Sequence, residues 1–417
     1  MKRFTLFLAL IVGLLTSAST AMAQTVNMDS YITLTVTNGA AIKLDFKAAA
    51  AATPVRIVSG SNTQDITVGT DCKGTASYTA GSTTMTVYGD IIGFDCSGNG
   101  ANLTDLDLSH NTQLIGLSCF SNNLSSLDVS RCTQLDELYC FNNTLRSLDV
   151  SSNTQLTTLE CSNNTLTALN VSGCTQLTGL LCHNNTLNSL DVSRNTQLTG
   201  LWCHNNTLNS LDVSGCTQLT KLHCYNNKLN SLDVSGCTQL TELYCSSNTL
   251  RSLDVSHNTQ LERLICHGNK FSAQALDDIY CALPDRTSEY RGVIKPVFNS
   301  SSSYNDTVLA TNAQNAISKN WYVQYADNTD IPATTGKHKC SATDIAEASA
   351  EQALTLYPNP VADVLYLSAT ARTIRIYNVY GTEVAHASDT DRIDVSHLPA
   401  GVYTVKADGT VAKMVKR

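Results

Sequence analysis

Residues 177–197 have the sequence LTGLLCHNNTLNSLDVSRNTQ, and Leu198 begins almost the same sequence again. The unit has 21 residues and starts at Ile91 and at leucines 114, 135, 156, 177, 198, 219, 240 and 261, with a two-residue insertion at 97–103 in the first copy. Self-similarity at a constant short period is typical of a solenoid, in which each unit forms one coil and buries its apolar side against the next coil. We therefore number positions within each coil from its first residue.

Apolar residues occupy positions 1, 4, 11, 14 and 16 of the coil, cysteine position 6 and asparagine position 9. The pattern LxxLxCxxNxL resembles the strand segment of a leucine-rich repeat, with cysteine where an inward leucine normally stands. Side chains at positions 4 and 6 of such a strand point into the core, and those at positions 5 and 7 point outward. The second half of the coil repeats the spacing, and its arm of ten or eleven residues is too short for a full helix. We expect an extended or 3₁₀-like far wall.

Cysteine occurs nine times at position 6 and four times at position 19. Stacked coils lie about 4.8 Å apart, and parallel side chains keep their Cβ atoms near that distance, beyond the roughly 3.5–4.5 Å of a relaxed disulfide. We therefore predict a ladder of buried free thiols, with metal binding, redox chemistry and sporadic disulfides as the alternatives. Cys72, Cys281 and Cys340 lie outside the ladder, and a bridge among them is left open. The nine asparagines at position 9 are predicted to bond unpaired backbone groups between coils.

The outward positions 5 and 7 vary from coil to coil and carry many rings, although aromatic residues make up only 6% of the chain. Exposed aromatic and histidine side chains among polar ones are typical of a binding surface. One alternative is that neighbouring rings only stack and shield the strands. Another is metal or haem capture by the three histidines, which stacking alone does not arrange for coordination. We predict no cofactor and a partner-binding surface formed by Phe120, Tyr139, Phe141, His183, Trp202, His204, His223, Tyr225 and Tyr244.

The charge of the chain limits its partners. The net charge is -8, and lysine and arginine are sparse and unclustered, so we expect no nucleic-acid partner. Position 15 is aspartate in most coils and asparagine at Asn170. A row of like charges about 4.8 Å apart needs hydrogen bonds or cations. A weak calcium site is one possibility, and a solvated row of carboxylates is the other, which we favour.

Cysteine adjoins histidine in four coils, as in Cys182-His183 and Cys203-His204. The cysteine points inward where the histidine points outward, so a nucleophile and its base would diverge. The sequence has neither a glycine-rich phosphate loop nor a nucleophile elbow. We predict that the protein is not an enzyme.

The chain divides into six segments. Residues 1–23 have a basic start, an apolar run and a small-residue exit, which indicate a secretory signal peptide. We predict a mainly β protein with a β-rich N-terminal cap at 24–90, a leucine-rich repeat solenoid at 91–271, and an irregular α/β C-terminal cap at 272–330. A polar linker at 331–353 precedes short alternating strands at 354–417, which are typical of a small β-sandwich.

Residues 354–417 resemble the type A sorting domain of the type IX secretion system, through YPNP at 357–360, IYNVYG at 376–381, LPAGVY at 398–403 and the basic end at 413–417. The resemblance implies transport across the outer membrane of a Gram-negative cell by the type IX machinery, removal of this domain near the linker, and attachment to surface lipopolysaccharide or release. The repeats resemble internalin-J-like surface proteins, which share the 21-residue unit and the cysteine ladder. We do not expect the cell-wall anchor of the Gram-positive relatives, so their receptors are not carried over.

These observations together predict a secreted, surface-attached adhesin. Its solenoid would bind a host or bacterial surface protein or a glycan, in virulence-related host attachment or in biofilm formation. A surface-coat protein without a specific ligand is the main alternative. Neither the identity of the ligand nor the oligomeric state follows from the sequence.

Overall fold

The computed structural model describes residues 25–340, 356–378, 383–407 and 410–417. The chain forms two compact units that divide between His338 and Lys339. The predicted signal peptide at 1–23 lies outside the described residues, as does the part of the predicted linker from 341 to 353.

The N-terminal cap is built from two sheets. Its strands are β1 (Tyr31–Val36), β2 (Ala41–Ala48), β3 (Thr53–Ser59), β4 (Asn62–Val68), β5 (Ala76–Thr79) and β6 (Thr84–Tyr88). The first coil adds β7 (Ile91–Asp95) and β8 (Leu103–His110). One sheet has the order β4-β3-β6-β1-β8, whereas β2 lies between β5 and β7 in the other. Strands β1 and β2, which flank the turn at Asn38 and Gly39, therefore enter different sheets. Strand β2 covers the open edge of the first coil by pairing with β7.

The solenoid strands lie in register, one coil apart. They are β9 (Gly116–Ser118), β10 (Glu137–Tyr139), β11 (Leu148–Asp149), β12 (Thr158–Glu160), β13 (Leu169–Asn170), β14 (Gly179–Leu181), β15 (Gly200–Trp202), β16 (Lys221–His223), β17 (Glu242–Tyr244) and β18 (Arg263–Ile265). All except β11 and β13 belong to one largely parallel sheet, in which, for example, Leu180 pairs with Leu201. On the far wall, β11 and β13 are paired two-residue strands among turns, with no full helix in the described coils, as the short arm predicts.

The core of the solenoid is the predicted set of leucines, valines and cysteines. The leucines at position 4 and the cysteines at positions 6 and 19 have 0% exposure, and all thirteen ladder cysteines are free. The predicted ladder of buried thiols is confirmed. Position 19 accepts cysteine or asparagine because both donate to the same backbone group, the carbonyl at position 16 of the preceding coil. Cys174 Sγ donates to Val150 O at 3.4 Å, and Asn153 Nδ2 donates to Val129 O at 2.9 Å.

The asparagines at position 9 join neighbouring coils. Asn185 accepts a hydrogen bond from Leu166 N at 3.0 Å, and its Nδ2 donates to Cys161 O and Cys182 O, both at 3.1 Å. One amide thus satisfies backbone groups of two coils at a corner where strand pairing ends. The predicted structural role of these asparagines is confirmed.

The C-terminal cap contains α1 (Ala273–Ala282), β19 (Gly292–Lys295), α2 (Asn305–Leu309), α3 (Gln314–Ile317) and β20 (Trp321–Val323). Ser272 caps the start of helix α1, because its hydroxyl accepts a hydrogen bond from Ala275 N. Strands β19 and β20 continue the parallel sheet. The short helix α2 was not predicted. Cys281 and Cys340 are both disulfide-bonded.

Residues early in the predicted linker are bonded to this cap. Thr335 N donates to Leu309 O at 2.8 Å, and Gly336 N donates to Thr311 O at 2.9 Å. Over the described ranges, no helix has the length and apolar character needed to span a membrane.

The C-terminal unit, for which the sequence predicts a small β-sandwich, is a separate β-sheet region. Its strands are β21 (Leu356–Tyr357), β22 (Val364–Tyr377), β23 (Glu383–Asp394), β24 (Gly401–Ala407) and β25 (Thr410–Lys416). They hydrogen-bond in one sheet, with β22 between β23 and β24 along its length. Leu365, Ile374, Ile376, Val405 and Met414 are fully buried in the core of this unit.

Candidate functional site

The nine predicted partner-binding residues all lie on the outer face of the parallel sheet. We call this surface the ring face and define it by Phe120, Tyr139, Phe141, His183, Trp202, His204, His223, Tyr225 and Tyr244. Their direction follows from strand alternation, because the leucine and cysteine on either side of each position 5 are buried. Eight of the nine are half-buried, and His204 is buried with 8% exposure.

The low exposure arises because rings from neighbouring coils stack. At position 7, Phe120 and Phe141 have ring centroids 4.3 Å apart. Further along the same column, His204 stacks between His183 at 4.3 Å and Tyr225 at 4.2 Å. From the sequence alone, ring stacking and partner binding are alternative explanations for the exposed rings. The stacking is present, and partner binding stays a prediction.

A second column runs along position 5. His223 and Tyr244 stack at 4.1 Å, and the Trp202 ring meets His223 edge-on at 5.7 Å. The orientation of Trp202 depends on Gly200, since a Cβ atom at Gly200 would overlap the indole. In this column the hydroxyl of Tyr139 is paired with the carboxyl of Glu137, and burial raises the pKa of Tyr139 to about 12.

Residues at position 3 form a third column on the ring face, and this column was not predicted from the sequence. Lys221 and Glu242 form an ion pair of 3.2 Å there, and Glu242 also lies 3.5 Å from His223 Nε2. At Gly179 a Cβ atom would meet nothing within 4 Å, so the column has a gap. Strand alternation was the signal that could have found these residues, because positions 3, 5 and 7 share one face.

The histidines of the ring face are held in their neutral form. Burial lowers the pKa of His204 to about 4, with further contributions from His183 and His223. Burial also lowers the pKa of His183 and of His223, and for His223 the neighbouring Glu242 opposes the effect. Nδ1 of His183 and Nδ1 of His204 are buried without a hydrogen-bond partner. The rings therefore act as flat, weakly polar groups at neutral pH.

In the described ranges, no group of three or more His, Cys, Asp or Glu side chains is arranged to hold a metal ion. On the far wall, each aspartate at position 15 bonds the backbone of its own coil. Asp191 Oδ1, for example, accepts from Ser193 N at 2.9 Å, and bonds from Ser193 lower the pKa of that carboxyl. Hydrogen bonds thus offset the charge of this row.

The cysteines that adjoin histidine have the properties of buried core residues. Burial raises the pKa of Cys203 and of Cys266 to about 12, and it also raises the pKa of Cys182 and of Cys224 well above the usual value of a thiol. A thiol reacts as a nucleophile through its thiolate, which is scarce at neutral pH when the pKa is this high. The cysteine of each pair is in the core and the histidine is on the ring face, so these pairs do not form a catalytic couple.

Two family models match parts of the chain. Residues 355–417 match the secretion system C-terminal sorting domain, and residues 141–158, 162–179 and 246–262 match the leucine-rich repeat. No curated protein matches the chain.

Three solved structures are similar to the chain. A leucine-rich repeat protein of Leptospira interrogans is 24% identical over 42% of this chain and 48% of its own, with a TM-score of 0.40. This chain therefore spans about half the length of that relative. The functional domain of internalin J from Listeria monocytogenes, described as including a cysteine ladder, is 24% identical over 78% of this chain and 86% of its own, with a TM-score of 0.37. Another Listeria monocytogenes internalin is 16% identical over 46% and 78%, with a TM-score of 0.30.

The sorting domain and the repeats settle the general class of the molecule. The chain contains leucine-rich repeats and a C-terminal sorting domain, and the sorting domain indicates secretion through the type IX system to the cell surface or the extracellular space.

Proposed function

We propose that the protein is an adhesin whose ring face binds a protein or glycan partner, in host attachment or biofilm formation. The observation that carries the proposal is the in-register stacking of rings from successive coils on one sheet face. Stacked rings have little rotamer freedom left to lose, so a partner that packs on them meets an ordered, partly apolar surface. Leucine-rich repeat proteins commonly bind proteins, and this face is where the coils differ most.

The far wall supports the choice of face by contrast. Position 15 is aspartate or asparagine and position 17 is serine in successive coils, and each aspartate carboxyl accepts a hydrogen bond from the backbone N–H of the serine two residues later. Such a uniform polar wall offers few features to distinguish one partner from another. The ring face instead presents different ring types, charges and gaps from coil to coil, which is the variation that specific recognition needs.

The adhesin acts by binding and not by catalysis. The thirteen ladder cysteines are buried thiols, and burial raises the pKa of Cys182 and Cys203 among them. The ring-face histidines stack as neutral rings. The same proposal includes retention at the cell surface through lipopolysaccharide after removal of the sorting domain, since a partner on another cell is reached only from outside.

The test compares attachment by cells that secrete the wild-type chain or the double variant Trp202→Ala, Tyr225→Ala. Buried aromatic anchors at interfaces contribute about 2 kcal/mol or more each, so we expect binding to weaken at least about 30-fold. The matched control is Asn209→Ala, Asn230→Ala, two exposed residues on the far side of the coil. Secretion and far-UV circular dichroism should be unchanged in both variants.

Two results would count against the proposal. Unchanged attachment by the aromatic double variant removes the ring face as the binding surface. Attachment that never saturates with added purified protein favours a coat protein without a specific ligand.

A further inference from the structure

A cavity of about 130 Å³ lies at the N-terminal end of the ring face. We call it the junction pocket and define it by Lys47 and Cys72 of the N-terminal cap and by Gly93, Gly116 and Glu137 of the first three coils. Its volume is roughly ten times the minimum that holds one water molecule, so a small organic group fits inside.

The pocket exists because two successive coils lack a side chain at position 3. Strand pairing aligns four residues in one row across the sheet: Lys47 with Gly93, Gly93 with Gly116, and Gly116 with Glu137. Adjacent strands lie about 4.8 Å apart, so the two glycines leave a trough about 14 Å long between the Cα atoms of the lysine and the glutamate. A Cβ atom at Gly93 would come within 2.9 Å of Lys47 Cβ, so the close approach of the cap strand β2 to the first coil depends on glycine at this position.

The walls of the trough are apolar on one side. Ile92 and Ile115, at position 2 of their coils, line the pocket and are half-buried. Apolar walls of this kind favour an aliphatic or otherwise apolar stem, because burying a methylene contributes about 0.8 kcal/mol.

The polar groups of the pocket are mostly carboxyls. Three carboxyls line it, those of Asp95, Asp136 and Glu137, together with the single ammonium group of Lys47. The carboxyl of Asp45 also lines it and accepts a hydrogen bond from Gly74 N. Oε2 of Glu137 is buried without a hydrogen-bond partner. A buried carboxyl oxygen that lacks a donor is stabilised when a cationic donor enters beside it.

We propose that the junction pocket binds the side chain of an arginine or a lysine presented by the protein partner. The stem would lie along Ile92 and Ile115, and the cationic head would bond Glu137 and the neighbouring carboxyls. This proposal rests on the proposed function, because the pocket opens on the ring face: Glu137 and Tyr139 belong to the same strand and project to the same side. A partner lying on the rings thus reaches the trough.

The probe is the peptide acetyl-Gly-Gly-Arg-Gly-Gly-amide, titrated calorimetrically into the full chain. The same peptide with citrulline in place of arginine keeps the shape and removes the charge. The variant Glu137→Gln should weaken arginine-peptide binding by at least about tenfold, as expected for loss of one member of an enclosed charge pair. Asp254→Asn removes the same charge from the far wall, where Asn170 already occupies the equivalent position, and should bind as the wild type does.

Cys72 allows a second, independent test of the proposal. It is the one exposed cysteine among the fourteen free ones, and it lines the pocket. Alkylation of the native chain with N-ethylmaleimide should therefore place a bulky group in the trough and abolish peptide binding.

Several outcomes would overturn the proposal: no binding of the arginine peptide, equal binding of the citrulline peptide, or binding that survives both Glu137→Gln and alkylation. Binding of free agmatine without binding of the peptide would also overturn it, since the ligand would then be a small free cation and not a side chain of a protein partner. None of these results bears on the attachment assay with Trp202→Ala, Tyr225→Ala. Failure of the pocket and failure of the adhesin proposal are thus distinguishable.

Discussion

Acidification should destabilise the ring face, and His204 should contribute most to the loss. The His204 ring is stacked on both sides, by His183 at 4.3 Å and by Tyr225 at 4.2 Å, and it is only 8% exposed. A proton on this ring would have to be accommodated with little water and beside a second histidine. Burial and the neighbouring histidines accordingly lower its pKa from 6.5 to about 4.

The sign and size of the effect follow from linkage. Because the pKa is lower in the folded chain than in the unfolded chain, the unfolded chain binds the proton more tightly. The stabilisation is complete above about pH 6.5 and is lost as the pH falls towards about 4. A difference of about 2.5 pKa units, at about 1.36 kcal/mol per unit, corresponds to a loss of about 3 kcal/mol in the free energy of unfolding.

The assay compares denaturant unfolding of the wild type and of His204→Phe at about pH 7.5 and about pH 4. Phenylalanine does not titrate, and Phe120 and Phe141 already stack at position 7 elsewhere in the chain. We expect the wild type to lose about 3 kcal/mol more than the variant between the two pH values. His257→Phe, at an exposed histidine on the far side of the coil, serves as the control. Equal pH dependence in wild type and His204→Phe, or a His204 ring that titrates near pH 6.5 by NMR, would refute the reasoning.

Three further predictions concern the scaffold. Asn185→Ala removes two hydrogen bonds to the preceding coil, one accepted from Leu166 N and one donated to Cys161 O, together with the bond donated to Cys182 O of its own coil, and should cost about 3 kcal/mol or more in denaturant unfolding. Asn185→Asp should cost at least as much, because a buried carboxylate would face both carbonyls without a proton to donate. Gly200→Ala should lower the unfolding free energy by about 1–3 kcal/mol because the new methyl group overlaps Trp202, while Gly179→Ala, where nothing lies within 4 Å, should not lower it. Mass spectrometry after maleimide treatment should find one adduct, on Cys72, in the native chain and fourteen after unfolding without reductant; several adducts in the native chain would contradict a closed core.

The sequence was sufficient to predict the solenoid because its period encodes both register and burial. A cysteine at every position 6 and an asparagine at every position 9 place equivalent atoms one coil apart, and the coil-to-coil hydrogen bonds of Asn185 are the direct result. The direction of the ring-face side chains was predicted for the same reason. Their packing was not, because the burial of His204 depends on which ring each neighbouring coil supplies.

Features outside the repeats were harder to predict. The strands on either side of the Asn-Gly turn have alternating patterns suited to a hairpin, yet they enter different sheets, because long-range pairing with β6, β8, β5 and β7 outweighs the local turn. Helix α2 has only five residues, and no side chain caps its start, so it leaves no local signal. The junction pocket depends on where β2 meets the first coil, which is a tertiary contact that the local sequence does not specify.

The residues that vary between coils lie mainly at positions 3, 5 and 7, on the outer face of the solenoid. The buried leucines, cysteines and asparagines hold the spacing of the coils, so a change at positions 3, 5 or 7 alters the outer face without disturbing the core. Glycine at position 3 has opposite consequences at two places: Gly200 makes room for the Trp202 ring, and Gly93 with Gly116 leaves the trough of the junction pocket. The inward residues thus hold the frame of the solenoid, and under the proposed function the outward residues of each coil determine which partner the ring face binds.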